Sequence, residues 1–172
     1  MMPYILIVLA VVARLLVHPF NFTPIGGIGL FAGAWCPPRI AWVLPLVALL
    51  LSDIITGLYN PVVMVFVYLG FLSGPLFGWL LLSRRRSLPR FGLAVMLAAV
   101  SFFVVSNFGM WLSGIGPYPP TVAGLFECYV AGLPFLRVSL IGDLFYGGLL
   151  FVAAELAQKL IANYGGRGLA AG

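Results

Sequence analysis

The sequence predicts an all-α fold, a bundle of about six transmembrane helices with both termini on the cytoplasmic side. Three observations predict it. Hydrophobic residues make up 63% of the 172 and charged residues 8%, against about 45–50% and about 25% in soluble domains, and the mean hydropathy is +1.15. Apolar runs approaching the roughly 20 residues that a span requires recur along the chain, separated by Pro- and Gly-rich breaks. The basic residues stand at the ends of those runs, most densely at Arg84, Arg85, Arg86 and Arg90, the pattern that sets membrane orientation. No stretch is left for a water-soluble domain, so residues 1–172 read as a single transmembrane domain without internal repeats.

The first run, Pro3–Val17, ends with Arg14 and His18 one helical turn apart. Met1 to Tyr4 hold no Lys or Arg, so the charged start of a cleaved signal peptide is missing and the run reads as a span. Pro19–Pro24 is a connector that carries Asn21. Ile25–Cys36 is short and rich in small residues, with Gly29 and Gly33 forming a GxxxG pair. At that length it reads as a tilted or a re-entrant helix. Cys36–Arg39 breaks the chain, and Ile40–Leu58 is a clear span with Pro45 and Asp53 inside it. After a turn at Asn60-Pro61, the span Val62–Leu82 carries Gly70, Gly74 and Gly78 at four-residue spacing, a stripe expected to pack closely on another helix. Ser83–Pro89 is the strongest basic loop. Arg90–Ser113 is a long span with Asn107 and Trp111 on one face, followed by a turn over Gly114–Pro120. Thr121–Leu133 reads as a short helix capped by Thr121. Beyond a break at Pro134 and Arg137, the last span is Val138–Ile161 with Asp143, and Tyr164–Gly172 reads as a flexible tail.

With the Arg84–Arg90 loop in the cytoplasm, Arg39, Lys159 and Arg167 fall inside as well, and the uncharged turn Gly57–Pro61 falls outside. The polar residues then collect towards the outer side. Arg14 and His18 end the first span; Asp53, Thr56 and Tyr59 end the third. Asn107 and Trp111 end the fifth, and Asp143 and Tyr146 lie at the outer end of the sixth. Connecting segments with Asn21, Tyr118, Glu127 and Arg137 cover the same face. An ionisable residue inside a span costs about 2.5–3.5 kcal/mol on insertion scales, so such groups pair or line a cavity. One reading pairs Arg14 with Asp53, and Arg137 with Asp143 or Glu127, as bundle glue. The other gathers these residues around a ligand cavity open to the outside. Glu155 and Lys159, spaced i,i+4 at the inner end, read as a structural pair.

Several function classes are excluded or left without support. The only lysine, Lys159, follows no glycine-rich loop, so there is no Walker A phosphate cradle. A single histidine, no GxSxG turn, and Cys36 and Cys128 without CxxC spacing leave no enzyme, metal site or cofactor in view. The net charge of +5 belongs to membrane orientation and not to nucleic acid.

The segments HPFNFTPI (His18–Ile25), LSD (Leu51–Asp53), SNFGMWL (Ser106–Leu112) and YVAGLPFLRVSLIGD (Tyr129–Asp143) resemble a family of small uncharacterised bacterial multi-pass membrane proteins, which implies a location in the bacterial cytoplasmic membrane. The architecture is also similar to the substrate-capture (S) subunits of energy-coupling-factor vitamin transporters. That resemblance implies a cavity near the outer surface and a partner made of a transmembrane coupling subunit with paired ATPases. S subunits often carry an Ala-x-x-x-Ala stripe on an early helix for docking. Here the clear one, Ala94 and Ala98, is on the fifth span.

The expectation for function is therefore a substrate-binding membrane subunit that captures a small vitamin-like solute. Asp53, Asn107 and Asp143 would hydrogen-bond the ligand, Arg14 or Arg137 would meet an anionic group, and Trp111, Tyr118 or Tyr146 would stack on it. The alternative is a structural accessory subunit packed in a larger membrane complex.

Overall fold

The stretch with the weakest helix-forming sequence is the most deeply buried helix. The computed structural model describes residues 22–168, with side chains to residue 162, and three positions of the first run, Ile5, Val8 and Val12, which are helical and exposed. The rest of that run, with Arg14 and His18, and the connector residue Asn21 lie outside the described residues. Helix α1 (Ile25–Trp35) has every residue from Ile25 to Ala34 buried. Its four glycines each lower helix propensity by about 1 kcal/mol relative to Ala, so packing, not propensity, holds it. At 11 residues it is about 16 Å long, roughly half the thickness of a bilayer core. The short run that reads as tilted or re-entrant is a half-length helix in the centre of the bundle.

Both ends of α1 are capped by side chains from elsewhere. At its N-terminus, the Gly27 amide donates to the Asp143 carboxylate, and a methyl group on Gly26 would come within 2.6 Å of the Asp143 carboxyl carbon. At its C-terminus, Arg86 Nη2 donates to the Ala34 carbonyl at 3.2 Å, and the guanidinium carbon sits 3.8 Å from the centre of the Trp35 ring. An acid at the start and a base at the end match the partial charges of a helix. Arg86 is thus a cap as well as an orientation charge. Arg86→Ala is expected to lose about 1 kcal/mol, from the cap and the cation–π contact together. A thermal melt of the detergent-purified protein measures this, and a melt unmoved by the substitution would contradict the assignment.

Helix α2 (Pro38–Thr56) starts with Pro at the first helical position, where its missing N–H costs nothing. It buries Ala41, Pro45, Ala48, Leu49, Ser52 and Asp53 on one side and exposes Val43, Val47, Leu50, Leu51, Ile54 and Ile55 on the other. Gly57, at φ +111°, ends it. Asn60 Oδ1 then accepts from the amides of Val62 (2.9 Å) and Val63 (3.3 Å), capping α3 (Pro61–Phe71). A turn at Leu72, α4 (Ser73–Phe77) and a π-helical turn (Gly78–Leu82) complete that span. Its glycine stripe meets α1: the Gly74 position lies against Gly29 Cα (3.2 Å for an added Cβ), and Gly33 faces the Pro75 backbone (2.9 Å). Gly70 packs on Phe102 instead. The close approach that a small-residue stripe permits is used inside the bundle.

Helix α5 (Leu88–Leu112) and α6 (Val122–Gly168) pack side by side and antiparallel. Gly132 faces Asn107, and Gly147 faces the Phe91 ring. The expected break at Pro134 does not occur, and the separate helix Thr121–Leu133 and span Val138–Ile161 are one helix of 47 residues. Proline removes one intrahelical hydrogen bond, a defect that membrane helices tolerate where neighbours hold both halves; here α5 packs along both. Thr121 caps the start, its Oγ1 accepting from the Gly124 amide at 3.2 Å. At about 70 Å, α6 extends well past the basic end of α5.

Four stretches are long and apolar enough to cross a membrane among the described residues: Pro38–Thr56, Pro61–Leu82, Leu88–Leu112 and Val122–Ala162. With α1 they make an all-helical membrane bundle. Arg39, Arg84, Arg85, Arg86, Arg90 and Lys159 gather at the end where α1 finishes, whereas the connections 57–60 and 113–121 at the other end carry no charge.

Candidate functional site

Asp53 and Asp143, from helices far apart in sequence, line one cavity of about 480 Å³. Asp53 is 4% exposed and Asp143 is 7% exposed. Asp53 lies on the buried face of α2, one turn from its end, and accepts a hydrogen bond from Tyr68 Oη at 3.0 Å. Asp143 reaches the cavity from α6 at the N-terminus of α1. The hydroxyl-bearing residues Thr23, Ser52, Thr56, Tyr59, Ser73 and Ser139 line the same space. Its apolar wall includes Phe71 and Phe102, whose ring centres are 4.4 Å apart. The cavity runs from the uncharged end, at Thr56 and Tyr59, to mid-depth at Gly26 and Asp143.

Asp143 is deeper than its expected place at the outer end of a span. Because α6 continues through Pro134, the start of the helix lies beside the outer end of α5 and Asp143 falls level with the middle of the bundle. Gly26 lies at the same depth, against Gly74 in the inner half of the span Pro61–Leu82.

The remaining expected residues do not all join this cavity. Asn107 and Tyr118 line a second one of about 220 Å³ between α3, α5 and α6, with Cys128. The two cavities share Val67, Phe102 and Ser139 as common wall. Asn107 is held in place, its Nδ2 donating to the Phe103 carbonyl at 2.8 Å and its backbone carbonyl accepting from Cys128 Sγ at 3.4 Å. Trp111 donates its indole N–H to the Pro119 carbonyl at 2.9 Å, tying down the 113–121 connection. The Tyr146 ring packs on Phe22 at 5.3 Å and lines neither cavity.

Glu127 and Arg137 are exposed on α6 and belong to no covering loop. Six residues separate Arg137 from Asp143, which places them about 120° apart around a helix. Asp143 therefore turns into the bundle and Arg137 away from it, so the expected pairing of the two does not form. Tyr68, Ser73, Phe102 and Ser139 were not expected at the site. Ser139 carried a signal, standing one turn before Asp143 on the same face. Tyr68 carried none, since its contact to Asp53 joins two helices whose relative rotation no local pattern reveals. No group of three metal-ligating residues occurs among the described residues.

A family model describing a family of unknown function (DUF6580) matches residues 1–164. The chain belongs to that family. Among the curated proteins and among the solved structures, nothing matches it. The matched length takes in every residue that lines the two cavities.

Proposed function

We propose that the protein is a membrane-embedded solute-binding subunit of a transport system, taking up a small ring-containing ligand from the outer side. The observation that carries this reading is the cavity at the N-terminus of α1. A buried half-length helix starts at mid-depth beside the Asp143 carboxylate, in a space that Asp53 also lines and that runs to the uncharged end. Half-helices that end at a central site are a recurring way to build substrate sites in membranes. The positive-inside bias puts the Arg-rich end in the cytoplasm of a bacterial cell, and so the mouth of the cavity outside. About 480 Å³ lies within the 300–1,000 Å³ typical of small-molecule sites. The carboxylates and hydroxyls suit a ligand with several hydrogen-bond donors, and Phe71 and Phe102 suit its ring.

Without a nucleotide-binding loop, such a subunit depends on a partner for energy. The small-residue pairs that serve docking in S subunits are occupied here. Ala94 and Ala98 are buried in the core with Leu30 and Leu82, and the Gly stripes pack on one another. A coupling subunit would therefore engage a different face. The second reading, an accessory subunit of a larger complex, is favoured by one observation, the exposed charges on α6.

The test is retention and stabilisation of ligand by purified protein. Native mass spectrometry and thermal shift against a panel of water-soluble vitamins and their precursors are expected to give at least one bound species. Ser139→Leu, which fills the wall common to both cavities, is expected to abolish the shift and leave the ligand-free melt in place. A monodisperse protein that retains nothing from the panel and shifts with none of it would refute the reading.

A further inference from the structure

Arg137 stands on the outward face of α6 between Leu133, 52% exposed, and Ile141, 50% exposed. The register of α5 on α6 gives its depth. Gly132 is level with Asn107 and Gly147 with Phe91, so Arg137 lies about 15 Å from the outer end of α5 and about 20 Å from its inner end. Long basic side chains reach the interface from near the ends of helices. From the middle of a core about 30 Å thick, this one does not. No hydrogen bond or ion pair reaches it among the described residues.

A second polar group shares the face. Pro134 has no N–H to offer the Val130 carbonyl, which therefore lacks its helical donor, and Val130 is 64% exposed. Val130 and Arg137 are seven residues apart, on one side of the helix. Towards the outer end the same exposed region carries Glu127.

We infer that the outward face of α6 around Arg137 is the docking surface for a second transmembrane protein, one helix of which places a carboxylate opposite Arg137 at mid-bilayer. Charge decides the occupant. A second copy related by a two-fold axis along the membrane normal would set Arg137 against Arg137 and Glu127 against Glu127. An inverted copy would again set Arg137 against Arg137 at mid-depth, and would place its own Arg-rich end on the opposite side. Lipid tails supply no acceptor. A foreign helix with an acid removes the cost of an unpaired guanidinium in the bilayer and fixes depth and register at once. This surface stands apart from the cavity, and its occupancy does not depend on what the cavity binds.

Site-specific photo-crosslinking in cells tests it, with benzoylphenylalanine at Leu133 or Ile141 of the full chain, and at Val47 or Ile54 on α2 as controls. Both α6 positions are expected to give the same single adduct, and the controls none. Arg137→Leu is expected to reduce that adduct at least tenfold while gel filtration of the purified variant stays unchanged, and Arg137→Lys is expected to retain it. The captured protein should carry Asp or Glu within a spanning segment, and exchanging that acid for Arg together with Arg137→Asp should restore the adduct. An adduct with lipid alone, with a second copy of the chain, with a partner lacking an intramembrane acid, or one indifferent to Arg137→Leu would overturn the inference.

Discussion

Gly33→Val is expected to destabilise the bundle by about 3 kcal/mol or more, a large share of its stability. A side chain at Gly33 would place its Cβ within 2.9 Å of the Pro75 Cα and carbonyl carbon. Those atoms are backbone, so no rotamer change relieves the clash and the helices must separate. Overpacking of a dense core costs about 1–3 kcal/mol and sometimes more, against a total of about 5–15 kcal/mol for a domain. Separation at Gly33 also loosens the contacts of Gly29 on Gly74 and of Leu30 on Gly78, both one turn before it on α1. A valine brings a second γ-carbon into the same gap. The matching control is Gly92→Ala, since nothing lies within 4 Å of a side chain there. That substitution is expected to be neutral or to stabilise by up to about 1 kcal/mol through helix propensity. Melting curves of the two purified variants should move in opposite directions. Coincident melts would mean that α1 does not pack this closely on the span Pro61–Leu82.

The second large effect is expected at Asp143, where substitution separates a structural role from a ligand-binding one. The carboxylate receives the Gly27 amide at the start of α1, inside a bilayer where no water replaces a lost acceptor. Asp143→Leu leaves the Gly27 amide unsatisfied, at about 1–3 kcal/mol for a stranded buried group. A loss towards about 3 kcal/mol is expected in the ligand-free protein, at the upper end because no water reaches the stranded amide. Asp143→Asn keeps an acceptor of the same shape and should lose about 1 kcal/mol. The order Leu far below Asn, read from thermal melts without ligand, is the expected result. If both variants melt like the wild type, Asp143 does not hold α1, and only a role towards the cavity's occupant remains for it.

How far each residue could be read from the chain depends on whether its surroundings are local. The turn at Asn60-Pro61 and the cap at Thr121 are set by neighbours within a few residues, and they stand where the sequence places them, whereas Gly57 ends α2 short of the expected Leu58. The proline at 134 misled for the opposite reason. Its cost to the helix is local, but the contacts that outweigh it come from α5, along both flanks of the proline. The acids show the same division. Asp53 and Asp143 could be recognised as costly in a bilayer, and both line the larger cavity. That Asn107 and Tyr118 open onto a second cavity, and that Glu127 and Arg137 face outward, depends on the rotation of α6 about its own axis. The depth of Asp143 depends on the continuity of that helix.

Hydropathy and charge placement are properties read along a line. They were enough to establish a helical membrane bundle, the positions of three of the four long spans among the described residues, and a basic end opposite an uncharged one. The burial of α1, the crossing of its glycines with Gly74 and Gly78, the capping of its ends by Asp143 and Arg86, and the division of the charged residues between cavity and outer face were decided by packing. Each of these is a contact between segments tens of residues apart. In a chain that is apolar on almost every side, period and moment do not say which face of a helix meets its neighbours. Only the close fit of one backbone against another does.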